Sequence, residues 1–402
     1  RSHFDAYLTQ SKLRMSESVL FSVFLIFTGA AIIATLALYA RQSLLVAYIA
    51  LGILAGPSVT GLIDDPRLIE DIAHIGIIFL LFLLGLDLYP GKLLRLLKEA
   101  TAVTAASTVL FALLGYAVAA GFGLPHGDCL LIGAATTLSS TIVSLKLLPT
   151  TILHHRHTGE VIISILLSQD LMAIAALLVI HGLSTGHTPW QDTGLLLLAL
   201  PVLLFGGLAV ERWVLRALFL RFAKIKEYVF LLVLGWCLGI AQLGHSFGLP
   251  YEIGAFMAGV TIANSPIAPY IADTLRPLRD FFLVMFFFAL GAGFELAALS
   301  EVWIAALVLA AAVVAIKPLA YKFLFKAAGE PDLLALEAGV RLGQMSEFSL
   351  LLVAVALQAQ LVSQNAAVLV QFATLITFMV SSMVVVLRYP TPIALSDRLR
   401  RD

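Results

Sequence analysis

Gln169 and Asp170 stand side by side near the middle of an apolar stretch, 159–183, with Ser168 beside them. The stretch is long enough to cross a bilayer, since about 20 apolar residues at roughly 1.5 Å rise each span the hydrocarbon. A carboxylate at that depth costs at least about 2.5 kcal/mol, so intramembrane acids face cavities and mark ion or proton paths. The other reading is a structural carboxyl, kept neutral or paired inside a helix bundle. Two further stretches put polar groups at the centres of apolar segments. One is Thr136, Thr137, Leu138, Ser139, Ser140, Thr141; the other is Gly343, Gln344, Met345, Ser346, Glu347. A single Ser or Thr in a membrane helix usually bonds the preceding turn or a neighbour. Five hydroxyls in six positions, with a polar run at the matching place later in the chain, read instead as a pair of broken helices. Their half-helix ends and freed carbonyls offer partial charges and oxygen ligands to an ion. Hard oxygens of this kind suit an alkali cation or a proton better than a soft metal.

These residues sit in a chain that is 60% hydrophobic and 12% charged, a composition that excludes an ordinary soluble domain. Zero formal net charge gives no sign of nucleic-acid binding or of an acidic partner. Cys129 and Cys237 both lie in apolar segments and read as reduced packing residues. His154, His155 and His157 cluster in a loop and read as a solvated patch, with metal binding the weaker alternative and a pH-sensing role open. The stretch Arg1 to Arg14 is polar and lacks the apolar core and small-residue cleavage site of a signal peptide.

Thirteen membrane segments are expected, at 16–40, 43–62, 69–89, 101–121, 128–148, 159–183, 194–216, 226–247, 251–267, 278–299, 302–325, 332–358 and 364–388. With the N-terminus outside, nineteen of the 25 Lys and Arg residues fall in cytoplasmic loops and the C-terminal tail, as the positive-inside rule requires. Residues 1–15 then form an N-terminal tail, 16–388 the membrane domain, and 389–402 a cytoplasmic tail. Matching strings recur seven segments apart: LFLLGLDL (81–88) with ALGAGFEL (289–296), YIALGILAGP (48–57) with FMAGVTIANSP (256–266), and the runs that begin at Gly133 and Gly339. Seven is odd, so the halves have opposite orientation, as in transporters built from inverted repeats.

QD at Gln169–Asp170, LSST at Leu138–Thr141, GQxSEF at Gly343–Phe348, and the GLDL and GFEL repeats together resemble the monovalent cation:proton antiporters, most closely the Kef-type potassium:proton antiporters. The resemblance covers about 16–388. It implies an all-α polytopic membrane protein of inverted-repeat antiporter fold, with two discontinuous crossing helices, in a bacterial inner (plasma) membrane. It also implies a homodimer whose scaffold is segments one to three and eight to ten. Segments four to six and eleven to thirteen would form a core that moves like an elevator. Sodium-selective relatives tend to carry two acids, or Asn-Asp, where this chain has Gln169-Asp170, so potassium is the expected cation and sodium the alternative. Kef-type proteins commonly continue into a cytoplasmic nucleotide-binding domain; no GxGxxG follows a strand here, so no nucleotide cofactor is expected within these residues.

In this reading Asp170 binds cation and proton in turn, helped by Gln169 and by Thr137, Ser139, Ser140 and Thr141. Burial disfavours its charge and a bound cation restores it, so the two compete for one group. Lys317 lies well inside segment eleven; it either snorkels to the cytoplasmic face or, as the resemblance implies, works in the core. Glu337 and Arg341, at i and i+4, can pair on one helix face. Glu347 and Ser346 lie at the second break, where Glu347 either neutralises a half-helix N-terminus or binds the ion. Asp87 and Glu295 read as caps or interface groups, and Asp64 and Asp65 as outer-loop residues. The basic loop Arg212 to Lys226 and the tail from Arg388 could meet anionic lipid headgroups. No paired catalytic acids, HExxH or Ser/His arrangement suggests an enzyme, and a channel would need a continuous polar lumen.

Overall fold

The computed structural model describes every residue except 1, 41, 43, 64–66, 88–89, 149–156, 185–190, 223, 248, 295 and 392–402. Asp64, Asp65, His154, His155 and Glu295 therefore lie outside the described residues, as does the Asp87 side chain. The helices in chain order are α1 (Ser2–Tyr39), α2 (Leu44–Ala55), α3 (Arg67–Asp87), α4 (Pro90–Gly121), α5 (His126–Thr137), α6 (Thr141–Lys146), α7 (His157–Ser184) and α8 (Gln191–Val210). A single π turn, Glu211–Leu215, leads into α9 (Arg216–Phe222), followed by α10 (Lys226–Ser246), α11 (Tyr251–Ile262), α12 (Ala268–Ala292), α13 (Leu296–Ala327), α14 (Asp332–Arg341), α15 (Glu347–Gln358) and α16 (Gln364–Arg388).

Helical residues occupy each of the thirteen expected stretches, with three differences. Helix α1 begins at Ser2, ahead of the expected segment start at residue 16; no Gly or Pro interrupts it before Gly29. Segment two ends early, at Ala55, because Gly56-Pro57 cannot continue a helix. Segment ten lies earlier than expected, at Ala268–Ala292, with Pro269 in its first turn, where the missing N–H costs nothing. Among the described residues six helical stretches are long and apolar enough to cross a membrane: Leu20–Tyr39, Ala102–Gly121, His157–Ile180, Lys226–Ser246, Leu296–Ala327 and Gln364–Arg388.

The chain divides into two compact units, one of residues 1–77 and 278–295, the other of 78–277 and 296–402. In the first, α2 and α12 cross on glycine. A Cβ on Gly52 would stand 2.1 Å from the Phe288 carbonyl oxygen, and one on Gly291 would stand 2.2 Å from that of Ile49. Phe27 stacks on Phe281 nearby, ring centres 4.8 Å apart. In the second, α3 and α11 cross in the same way: a Cβ on Gly85 would stand 2.2 Å from the Phe256 carbonyl oxygen, and one on Gly259 would stand 2.0 Å from that of Phe82. Gly52 and Gly259 are 207 positions apart, and Gly85 and Gly291 are 206 apart. The repeat seen in the sequence is therefore also a repeat of contacts.

Two of the expected segments are broken, both in the second unit. Helix α5 stops at Thr137, with Leu138 in extended conformation, and the chain turns helical again at Thr141. Helix α14 stops at Arg341 and α15 begins at Glu347 behind a capping box of Ser346 and Ser349. Hydroxyls offer the backbone bonds that compete with the helix ladder, which is why they favour caps over helix interiors. Both restarts use one: Ser140 Oγ accepts from Val143 N at 3.0 Å, and Ser346 Oγ accepts from Phe348 N at 3.1 Å.

Candidate functional site

The two breaks cross and bond to each other. Ser139 Oγ donates to the Leu342 carbonyl at 2.9 Å and Ser144 Oγ to that of Arg341 at 2.9 Å, while Ser349 Oγ returns a bond to the Ala135 carbonyl at 2.6 Å. Gln344 adds side-chain bonds, with its Nε2 on Ser144 Oγ at 2.9 Å and its Oε1 accepting from Ser381 Oγ at 2.9 Å. Met345 N donates to Thr377 Oγ1 at 3.1 Å. All of these groups are buried, so each bond also removes the cost of a desolvated polar atom.

Lys317 reaches into the crossing from α13. It is fully buried and donates to the carbonyls of Leu138 at 2.8 Å and Gln344 at 3.1 Å, and to Ser139 Oγ at 3.2 Å. Those carbonyls lie just past the C-terminal ends of α5 and α14, where partial negative charge collects. The Lys317 ammonium also sits 5.1 Å from the Phe111 ring centre, within cation–π range. Snorkelling to the cytoplasmic face is thereby overturned, because three acceptors inside the core already satisfy the ammonium's donors.

Nearly every part of this arrangement has a counterpart 206 positions away. Leu138 corresponds to Gln344, Ser140 to Ser346, Thr141 to Glu347, Ala135 to Arg341, and Phe111 to Lys317. A Cβ on Gly133 would stand 2.7 Å from the Ala112 carbonyl oxygen, and one on its counterpart Gly339 would stand 2.5 Å from that of Pro318. Lys317 therefore bridges two equivalent carbonyls.

Helix α7 supplies the acid. Consecutive residues on a helix point about 100° apart, so Gln169 and Asp170 address different parts of the crossing. Gln169 Oε1 accepts from Ser139 N at 2.9 Å, and its Nε2 donates to the Thr137 carbonyl at 3.0 Å and to Tyr321 Oη at 2.6 Å. Asp170, 3% exposed, accepts from Thr141 Oγ1 at 3.3 Å on one oxygen and 3.2 Å on the other. Glu347 opens α15 and is also 3% exposed.

Of the remaining expected residues, Ser140 and Ser346 serve as caps. Thr137 contributes its carbonyl through Gln169, while its hydroxyl bonds the Ala134 carbonyl at 2.7 Å. Arg341 and Glu337 do pair, through Nε at 3.0 Å and Nη2 at 2.9 Å. Arg341 also donates to the carbonyls of Leu147 and Pro390, both at 2.9 Å. It staples the stretch after α6 to the end of α16 and stands apart from the acids' contacts. Tyr321 was absent from the expected set. Its spacing of four from Lys317 puts both on one face of α13, and that spacing was the available signal.

Outside the crossing, Asp128 in the first turn of α5 accepts from Ser363 N at 2.9 Å and from Ser363 Oγ at 2.5 Å. His157 Nε2 meets Glu330 Oε1 at 2.9 Å. Among the described residues no group of three or more His, Cys, Asp or Glu side chains could hold a metal ion. The crossing brings together carboxylates, hydroxyls and main-chain carbonyls, all hard oxygen donors.

Comparison with known proteins gives a consistent picture. The family model described as sodium/hydrogen exchanger, transmembrane, matches residues 19–387. The chain is 28% identical over 346 residues to the iron transporter MagA of Paramagnetospirillum magneticum, covering 85% of this chain and 79% of MagA. It is 28% identical over 357 residues to the putative cation/proton antiporter YbaL of Escherichia coli, covering 85% of this chain but only 63% of YbaL. In fold it matches the sodium proton antiporter MjNhaP1 of Methanocaldococcus jannaschii at pH 8, with a TM-score of 0.69 and 17% identity, over 92% of this chain and 96% of that one.

Proposed function

Since the chain belongs to the sodium/hydrogen exchanger family, and so is a multi-pass membrane cation/proton antiporter, we propose that it exchanges potassium for protons, with both ions competing for Asp170. The observation that carries this reading is the buried carboxylate of Asp170 held by Thr141 beside two interrupted helices. A cation bound there keeps the acid ionised, and a proton neutralises it; either form removes the charge that would bar movement through a low-dielectric region. An empty, ionised site stays behind. Exchange follows from that difference alone.

Potassium is favoured over sodium by the neighbour. Gln169 is neutral, and its amide is committed to Ser139 N, the Thr137 carbonyl and Tyr321. It adds no charge to the site, as suits the larger and less strongly hydrated ion. The protein on this reading has thirteen spans, an inside C-terminus, and a homodimer scaffold of segments one to three and eight to ten. Its core of segments four to six and eleven to thirteen carries the ion by elevator motion. Polar bonding between the two breaks supports a core that moves as one piece.

The test is proton flux in proteoliposomes with K⁺, Na⁺, Rb⁺ and Li⁺ compared, for wild type and Asp170→Asn. Saturable, K⁺-preferring collapse of a pH gradient, lost in Asp170→Asn, is expected. Cation-dependent flux that survives Asp170→Asn sinks the site, and a preference for Na⁺ sinks the selectivity.

A further inference from the structure

The break between α5 and α6 is gripped by two amides. Gln169, from α7, holds Thr137 and Ser139. The second amide is Gln344, from the other break, and it grips further along the chain. Its Nε2 donates to Ser144 Oγ at 2.9 Å and lies 3.4 Å from the Ser140 carbonyl oxygen, while its Oε1 accepts from Ser381 Oγ of α16 at 2.9 Å. Ser140 and Ser144 frame the first turn of α6, where Ser144 N donates to the Ser140 carbonyl at 3.2 Å.

The orientation of the Gln344 amide follows from its partners. A carbonyl only accepts, so the amide nitrogen faces Ser140 and the amide oxygen faces Ser381. Ser144 gives its own proton to the Arg341 carbonyl and therefore accepts from Gln344. The run from Ser381 through Gln344 and Ser144 to that carbonyl thus has a single polarity. Gln344 is 0% exposed, Ser144 2% and Ser381 4%, so water does not readily replace a bond lost here.

Helix α6 depends on such ties. It has six residues, Thr141–Lys146, and a helix so short does not stand on its own bonds. Its first residue, Thr141, reaches the two Asp170 oxygens at 3.3 and 3.2 Å, long for bonds between oxygens, so a shift of about 0.5 Å ends both. The grip also runs one way. The counterpart of Gln344 is Leu138, whose side chain cannot bond α15 in return, so only the restart helix that serves Asp170 is held by an amide from the opposite break.

We propose that Gln344 is a positioning residue for cation binding: it sets the register of α6 and so holds the Thr141 hydroxyl against Asp170, an inference that rests on Asp170 being the shared ion site. Its amide is occupied by Ser140, Ser144 and Ser381, so it acts through Thr141 and not on the cargo. With α6 in place, the Thr141 hydroxyl orients the carboxylate and leaves its own oxygen beside it as a further hard donor. A proton needs one oxygen, whereas a cation needs several held together to within about 0.5 Å. Loss of the grip therefore weakens the cation's hold first.

The experiment measures proton flux against K⁺ concentration in proteoliposomes for wild type, Gln344→Met, Thr141→Ala and the two combined. Met is similar in length to Gln and removes both donors and the acceptor. Gln344→Met is expected to weaken apparent K⁺ affinity about five- to tenfold, with maximal rate changed far less. The combined variant should bind K⁺ no more weakly than Thr141→Ala alone. A merely structural defect lowers maximal rate or yield instead, and its effect multiplies with that of Thr141→Ala. If Gln344→Met does not assemble, Ser381→Ala, which frees only the amide oxygen, carries the test, with a smaller affinity loss that Thr141→Ala again absorbs. Wild-type affinity in the variant that carries the test, multiplying defects, or unchanged affinity in Thr141→Ala overturns the proposal. K⁺-dependent flux that persists in Asp170→Asn defeats the underlying site assignment instead, so the two failures are distinguishable.

Discussion

The Gln169 amide is spoken for on every side, and Tyr321 is the partner that a simple substitution can remove. Tyr321→Phe keeps the ring that packs edge-on to Phe111 with centres 5.1 Å apart but deletes the acceptor 2.6 Å from Gln169 Nε2. Leaving a buried donor short of a partner costs about 1–3 kcal/mol. A lower melting temperature in detergent and a weaker apparent K⁺ affinity in flux assays are expected; an unchanged affinity would show that Gln169 needs no help in keeping its orientation. Asp170, Gln169 and Lys317 were visible in the sequence because a polar or ionisable group inside an apolar run stands out by type alone. Tyr321 was not, since a tyrosine in a membrane segment is ordinary. The carbonyls of Leu138 and Gln344 were equally hidden as individual ligands, because main-chain oxygens leave no trace in residue identity. Only the local density of Thr and Ser at 136–141 hinted that backbone would be set free there.

At the level of elements, the two interruptions were legible at 136–141 and 343–347, where hydroxyls and Gly343 cluster. The early start of α12 was not, because Pro269 and Pro277 look like helix breakers until one is seen in the first turn and the other tolerated inside the helix. Helix α7, which carries the acid, is tied at its start to the turn after α13 by His157 and Glu330. The hydrogen bond to Glu330 holds the His157 imidazole above its ordinary value of 6.5, and Glu160 on the same helix adds to the effect. The raised value belongs to the folded state, so the contact stabilises fully below pH 6.5 and is lost as pH rises through the higher folded value. His157 is 58% exposed as a side chain, so solvent screening keeps the contribution small. His157→Gln should therefore lower the melting temperature under mildly acidic conditions and leave it unchanged at alkaline pH. A destabilisation that grows toward alkaline pH would show that the charged form plays no part.

For the whole molecule, burial provides a check that needs no transport assay. Cys129 and Cys237 are 1% and 0% exposed, and a thiol shielded to that degree reacts only when the surrounding packing opens. A membrane-impermeant maleimide should label neither residue in intact proteoliposomes and both after denaturation in SDS. Rapid labelling of either in the native protein would contradict the packing of α5 or α10. The duplicated plan explains more than economy of design. Position 111 and position 317 are counterparts, and in three dimensions the ammonium of one rests against the ring of the other. An assembly of two identical half-length chains would have to bring the same residue in from both sides, either two cations forced together or two rings with nothing between the facing carbonyls. Joining the halves into a single polypeptide removes that restriction, so that matching positions can carry different residues, a donor in one half and the ring that cushions it in the other.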